Sequence, residues 1–134
     1  MKIEHIAVWV DDIEAMREFY TTYFDMICGE KYVNPNKGYT SYFLSFGDGC
    51  ARIELMNRPD ISSPATNRGM TKGWAHLSIT VGDKEAVNCL TERLRSDGYT
   101  IAGEPRTSGD GYYESVVLDP EGNYIELLGE QEPV

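Results

Sequence analysis

HIAVWVDDIEAM, residues 5–16, returns further down the chain as HLSITVGDKEAV, residues 76–87. A shift of 71 superposes His5 on His76, Val10 on Val81, Asp12 on Asp83, Glu14 on Glu85 and Ala15 on Ala86. ARIELM (51–56) then matches NYIELL (123–128) at a shift of 72, which places Glu54 on Glu126. Two matches in the same order, with one residue of drift between them, mark an internal duplication.

Each copy reads the same way. Ile3 to Val10 and Trp74 to Val81 alternate as strands. Asp12 and Asp83 suit a helix N-cap, because a short carboxylate accepts the orphan N–H groups of the first turn. The first helix presents Ile13, Met16, Tyr20, Tyr23 and Phe24 at three-and-four spacing, and the second presents Val87, Leu90 and Leu94 before Asp97-Gly98 stops it. Strands are predicted at 27–33, 40–46 and 51–56, and again at 100–103, 113–118 and 123–128, with GDG (47–49) and DPEG (119–122) as turns. The pattern is βαβββ twice, an α+β arrangement with modules at 1–56 and 74–134. The stretch 57–73, with Pro59, Pro64 and Gly69, is a linker able to act as a lid.

At 134 residues the chain makes one compact unit, or two half-size modules sharing a core. A net charge of −10 argues against nucleic acid, which needs clustered Lys and Arg, and against anionic membrane surfaces. Cys28, Cys50 and Cys89 form no CxxC pair, so they read as free buried thiols in a reducing compartment. MKIEHIAVWV enters a strand at once, and no apolar run approaches a membrane span. The cytoplasm is the expected location. There is no Gly-rich phosphate loop and no G-x-S-x-G nucleophile elbow.

Strand alternation sorts the faces. Ile6, Val8 and Val10 oppose His5, Ala7 and Trp9, while Leu77, Ile79 and Val81 oppose His76, Ser78 and Thr80. The aliphatic faces must pack under the helices, which leaves both histidines on the other face. Ile53 and Leu55 likewise oppose Glu54, and Ile125 and Leu127 oppose Glu126. A carboxylate set mid-strand among aliphatic residues is costly to desolvate unless a cation offsets it. The chain has only two histidines, both at the same repeat position, followed 49 and 50 residues later by the two glutamates. His5, Glu54, His76 and Glu126 are therefore candidate ligands, a borderline-to-hard set suited to one divalent Ni, Zn, Co, Mn or Fe ion per site.

With HIAVWV, HLSITV, the two IEL strands and DPEGNYIELL, almost the whole chain resembles the vicinal oxygen chelate superfamily. Its members include glyoxalase I (lactoylglutathione lyase), methylmalonyl-CoA epimerase, extradiol dioxygenases and the fosfomycin- and bleomycin-resistance proteins. The resemblance implies paired βαβββ modules forming a cupped mixed sheet, commonly in a homodimer. The four-ligand set is similar to that of glyoxalase I. By that resemblance the protein isomerises the hemithioacetal of a 2-oxoaldehyde and a thiol through an enediolate. Glu126 would be the general base, and Glu54 the opposite ligand or its partner. Trp9 stands where bacterial glyoxalase I typically carries an Arg for the glutathione carboxylate. Arg52 and Arg58 are the candidate replacements, and Trp9 either stacks on substrate or fills the cup. Tyr112 and Tyr113, in SGDGYYES (108–115), belong to a segment that closes over the site or to the sheet edge. The same resemblance allows two other functions: epimerisation beside a carbonyl, weakly favoured by ISSP (61–64), or non-catalytic capture of a small molecule.

Overall fold

The computed structural model describes residues 1–131. By its internal packing the chain divides into Met1–Pro64 and a second unit from Ala65 on. The first unit contains β1 (His5–Trp9), α1 (Ile13–Phe24), β2 (Ile27–Cys28), β3 (Tyr32–Asn34), β4 (Tyr39–Ser45) and β5 (Arg52–Asn57). The second contains β6 (Leu77–Gly82), α2 (Lys84–Ser96), β7 (Ile101–Thr107), β8 (Tyr113–Leu118) and β9 (Tyr124–Gly129). The fold is α+β, with one mixed sheet and one helix per unit.

Sheet order repeats the duplication. In the first unit it is β1-β5-β4-β2, with β3 also on β4; in the second it is β6-β9-β8-β7. The histidine strand lies parallel to the glutamate strand in both units, with Ala7 opposite Glu54 and Ser78 opposite Glu126. The strand predicted at 27–33 is broken in two. Ile27–Cys28 and Tyr32–Asn34 pair with opposite ends of β4, and residues 29–31 interrupt the ladder between them.

Both predicted N-caps form: Asp12 accepts from the Ala15 N–H and Asp83 from the Ala86 N–H, each at 2.9 Å. Such caps each stabilise a helix by about 1 kcal/mol. α1 buries Ile13, Met16, Phe19, Tyr20 and Phe24 over Leu44, Ile53 and Leu55. Phe19 joins the predicted apolar face, and Tyr23 is only half-buried. α2 buries Val87, Thr91 and Leu94, while Leu90 stays half-buried. Thr91 is tolerated at 0% exposure because its hydroxyl donates to the Val87 carbonyl and shares a 2.7 Å hydrogen bond with the buried Ser115. Past α2, Gly98 takes φ +92°, and the Tyr99 N–H closes on the Leu94 carbonyl.

Three further expectations are corrected. Ile6 is 38% exposed rather than buried, because β1 is an edge strand and α1 rests mainly on β4 and β5. The second module's first strand starts at Leu77, which leaves Trp74 outside it and 90% exposed. The cysteines are free but not buried: Cys50 and Cys89 are exposed and Cys28 is intermediate. None is activated, since burial raises the Cys28 thiol and neighbouring carboxylates raise the other two.

Candidate metal centre

In the first unit the parallel pairing of β1 and β5 brings His5 and Glu54 together on the face away from α1. His5 Nε2 lies 3.8 Å from Glu54 Oε1. The Glu4 carboxylate holds His5 Nδ1 and at the same time takes the Arg52 guanidinium. The His5 hydrogen bond, and then the Arg52 one, keep the Glu4 carboxyl below its ordinary range. A carboxylate on Nδ1 fixes the tautomer that leaves Nε2 able to bind a metal. The His5 ring meets Phe43 edge-on at 5.3 Å, and Arg52 covers the other ring contact, 4.0 Å from the Phe43 centroid.

Glu54 is steadied from β4, where the Tyr39 hydroxyl donates to its Oε2 at 3.1 Å. Burial first, and the Glu54 carboxylate beside it, hold the Tyr39 phenol above its usual value. Tyr39 also meets Trp9 edge-on at 6.3 Å. Trp9 is 39% exposed, so part of its ring remains available on this face. Arg58 reaches over Trp9 at 5.9 Å but is ion-paired with Asp60 at 2.5 Å. Asn57 is structural: its amide donates to the Val10 carbonyl at 2.7 Å and ties the end of β5 to β1.

In the second unit His76 stands one residue before β6, and its Nε2 is 3.0 Å from Glu126 Oε1 on β9. The Ser78 hydroxyl donates to that same oxygen at 2.5 Å. These residues line a groove of about 550 Å³ together with Arg106, Asp110, Tyr112 and Glu114. Arg106 pairs with Glu114 at 3.3 Å. Burial, and then the Glu126 charge, push the Glu114 carboxyl above the usual glutamate range. Residues 108–112 form a tight turn in which the Ser108 N–H donates to the Tyr112 carbonyl at 2.7 Å and the Gly111 N–H to the Ser108 carbonyl at 3.0 Å, and 113–115 enter β8. Tyr112 lines the groove, whereas Tyr113 faces α2, donating to Asn88 at 2.7 Å.

Each unit thus supplies one imidazole and one carboxylate within 4 Å of each other. Adjacent ligands on an ion with bonds of about 2.1 Å sit about 3 Å apart, so the His76–Glu126 spacing already suits a shared cation. Among the described residues no group of three or more His, Cys, Asp or Glu gathers as a metal site. Sequence reasoning missed Glu4, Tyr39, Ser78, Arg106 and Glu114. Ser78 and Glu114 share strand parity with the candidate ligands and were open to the same alternation argument; Tyr39 and Arg106 depend on cross-strand pairing that the sequence does not display.

A family model described as the glyoxalase/bleomycin resistance protein/dioxygenase superfamily matches residues 2–127. The chain belongs to that superfamily. It is 31% identical over 127 residues to a lactoylglutathione lyase of Arabidopsis thaliana, covering 92% of this chain and 42% of the plant protein. A probable lactoylglutathione lyase of Vibrio cholerae is 28% identical over 130 residues, covering 95% of this chain and 89% of that one. The chain therefore spans less than half the length of the plant relative. Among solved structures, glyoxalase I of Leishmania major, described as trypanothione-dependent, superposes with a TM-score of 0.78 at 28% identity, covering 97% of this chain and 87% of that one. Among the described residues no helix is long and apolar enough to cross a membrane.

Proposed function

We propose that this superfamily member is a metal-dependent glyoxalase I-like enzyme, converting the hemithioacetal of a 2-oxoaldehyde and a thiol into a 2-hydroxyacyl thioester. The observation that carries the reading is the repeated His–Glu pair: His5 with Glu54 and His76 with Glu126, each at the matching parallel strand pairing of its unit, with His76 one residue before its strand. The similarity to lactoylglutathione lyases supports it. We take the four side chains, from one chain or from two partner chains, as the ligand set, and a divalent ion held by them would supply Lewis-acid polarisation of neighbouring substrate oxygens.

The chain's own groups do the rest. Glu126 takes the proton from the hydroxyl-bearing carbon of the hemithioacetal and returns one to the adjacent carbon through an enediolate of the substrate. Glu54, held by Tyr39, remains the steadier ligand. Trp9 offers an exposed aromatic face to the substrate. Arg52 and Arg58 are the candidate groups for a thiol's carboxylates, and each would have to exchange its present partner, Glu4 or Asp60, for substrate. The protein is taken as a cytoplasmic homodimer, a location its free cysteines suit. The epimerase and pure-binding readings lack a comparable supporting observation.

The test is the isomerase rate with methylglyoxal and glutathione after loading the protein separately with Ni, Co, Zn and Mn. The expected result is a metal-dependent rate that falls at least 100-fold in Glu126→Gln with metal still bound. Turnover that survives Glu126→Gln would remove the assigned base. Stoichiometric metal binding without a rate for any ion would remove this substrate.

A further inference from the structure

The two halves of the duplication hold their glutamates differently, and the difference sits at one repeat position. Ala7 faces Glu54 across β1 and β5; its counterpart, Ser78, faces Glu126 across β6 and β9. Alanine has nothing to donate, so Glu54 takes its hydrogen bond from Tyr39 at Oε2, the oxygen not facing His5. Ser78 instead donates to Oε1 of Glu126, the oxygen that also faces His76. At 2.5 Å this is the length of a strong O–H···O⁻ bond. Resting on the function proposed above, we infer that Ser78 is a positioning residue for Glu126: its hydroxyl fixes the carboxylate's rotation and so decides which oxygen is presented to metal and substrate.

The geometry gives the hydroxyl two uses. It would compete for Oε1 with an ion held beside His76 and so would weaken Glu126 as a ligand. It would also keep a hydrogen bond on the carboxylate while Glu126 carries the proton, so that the group does not swing. Ser78 is solvent-exposed and lies outside the buried core, so trimming its hydroxyl should leave the fold intact.

The experiment compares wild type, Ser78→Ala and Ser78→Thr, each loaded with Co²⁺, by visible absorption, by Co²⁺ affinity and by steady-state kinetics. The expected result for Ser78→Ala is a changed Co²⁺ spectrum, Co²⁺ binding as tight as or tighter than wild type, and kcat lowered about tenfold or more with KM little changed. Ser78→Thr, which restores the hydroxyl, should restore both spectrum and kcat. A Ser78→Ala protein with the wild-type spectrum overturns the inference, as does a Ser78→Thr protein no closer to wild type than Ser78→Ala. If wild type shows no isomerase rate with any metal, the proposed reaction fails, and the spectra of the three proteins alone then decide the role of Ser78.

Discussion

Glu114 shows how a single side chain can work against the fold and still belong to the site. Half-buried beside Glu126 and only partly offset by Arg106 and His76, its carboxyl has a raised pKa in the folded chain. A raised folded value means the folded state binds the proton more tightly than the unfolded one. Stability therefore falls as pH rises from the unfolded glutamate value to the folded one, and stays lowered above it. Metal-free Glu114→Gln should melt higher than wild type at pH 7 to 8, and the advantage should vanish towards pH 4. Thermal melts across that range with chelator present check it, and an advantage that grows on acidification would contradict it. Elsewhere the charged groups are better matched: Arg52 with Glu4, Arg58 with Asp60 and Arg95 with Glu92 and Glu104. These exposed pairs add little to stability, but they determine which guanidiniums a carboxylate-bearing substrate must win away from a partner.

Helix α2 is joined to β8 by a polar contact inside an otherwise apolar layer, the hydrogen bond between Thr91 and Ser115. Thr91→Val should cost about 1–3 kcal/mol, because it strands the Ser115 hydroxyl without water. Adding Ser115→Ala should recover part of that loss, and a double-mutant cycle by urea denaturation measures the coupling. At the same scale, Gly69 has φ +74° and a Cβ there would meet a Tyr124 ring carbon at 2.5 Å and the Ala75 carbonyl at 2.7 Å. Gly69→Ala should therefore lower the urea midpoint clearly. Element identity was legible in the sequence wherever two signals coincided. The N-cap aspartates stood before periodic apolar residues, and the glutamate strands alternated between defined turns. What escaped depended on neighbours. The break at residues 29–31 reflects how an edge strand meets β4, and the exposure of Ile6 follows from β1 lying at the sheet edge. In the candidate site the histidines and glutamates were legible because the duplication wrote them twice. Ser78 stood on the His76 face by the same alternation, but its pairing with Glu126 and the role of Tyr39 were not legible, because each copy holds its glutamate with a different residue.

For the molecule as a whole, metal stoichiometry tests the proposed ligand set directly. Wild type should bind one divalent ion per chain, and His5→Ala and His76→Ala should each abolish tight binding, as read by dialysis and metal analysis. Two independent half-sites would leave each variant with half the wild-type content. If the proposed homodimer forms, the protein should sediment at twice 15.1 kDa. The division near Pro64 bears on how the chain comes into being. Each sheet is finished by a parallel pairing, Ile6 with Ile53 and Leu77 with Ile125, that must close a loop of about fifty residues. Such closures are the slow part of folding, while the β4–β5 and β8–β9 ladders between neighbouring strands form early. No strand of the first sheet waits on a residue beyond Asn57. During synthesis the leading half can complete its ladder while the trailing half is still being translated, so newly made chains need not expose both unfinished edges at once.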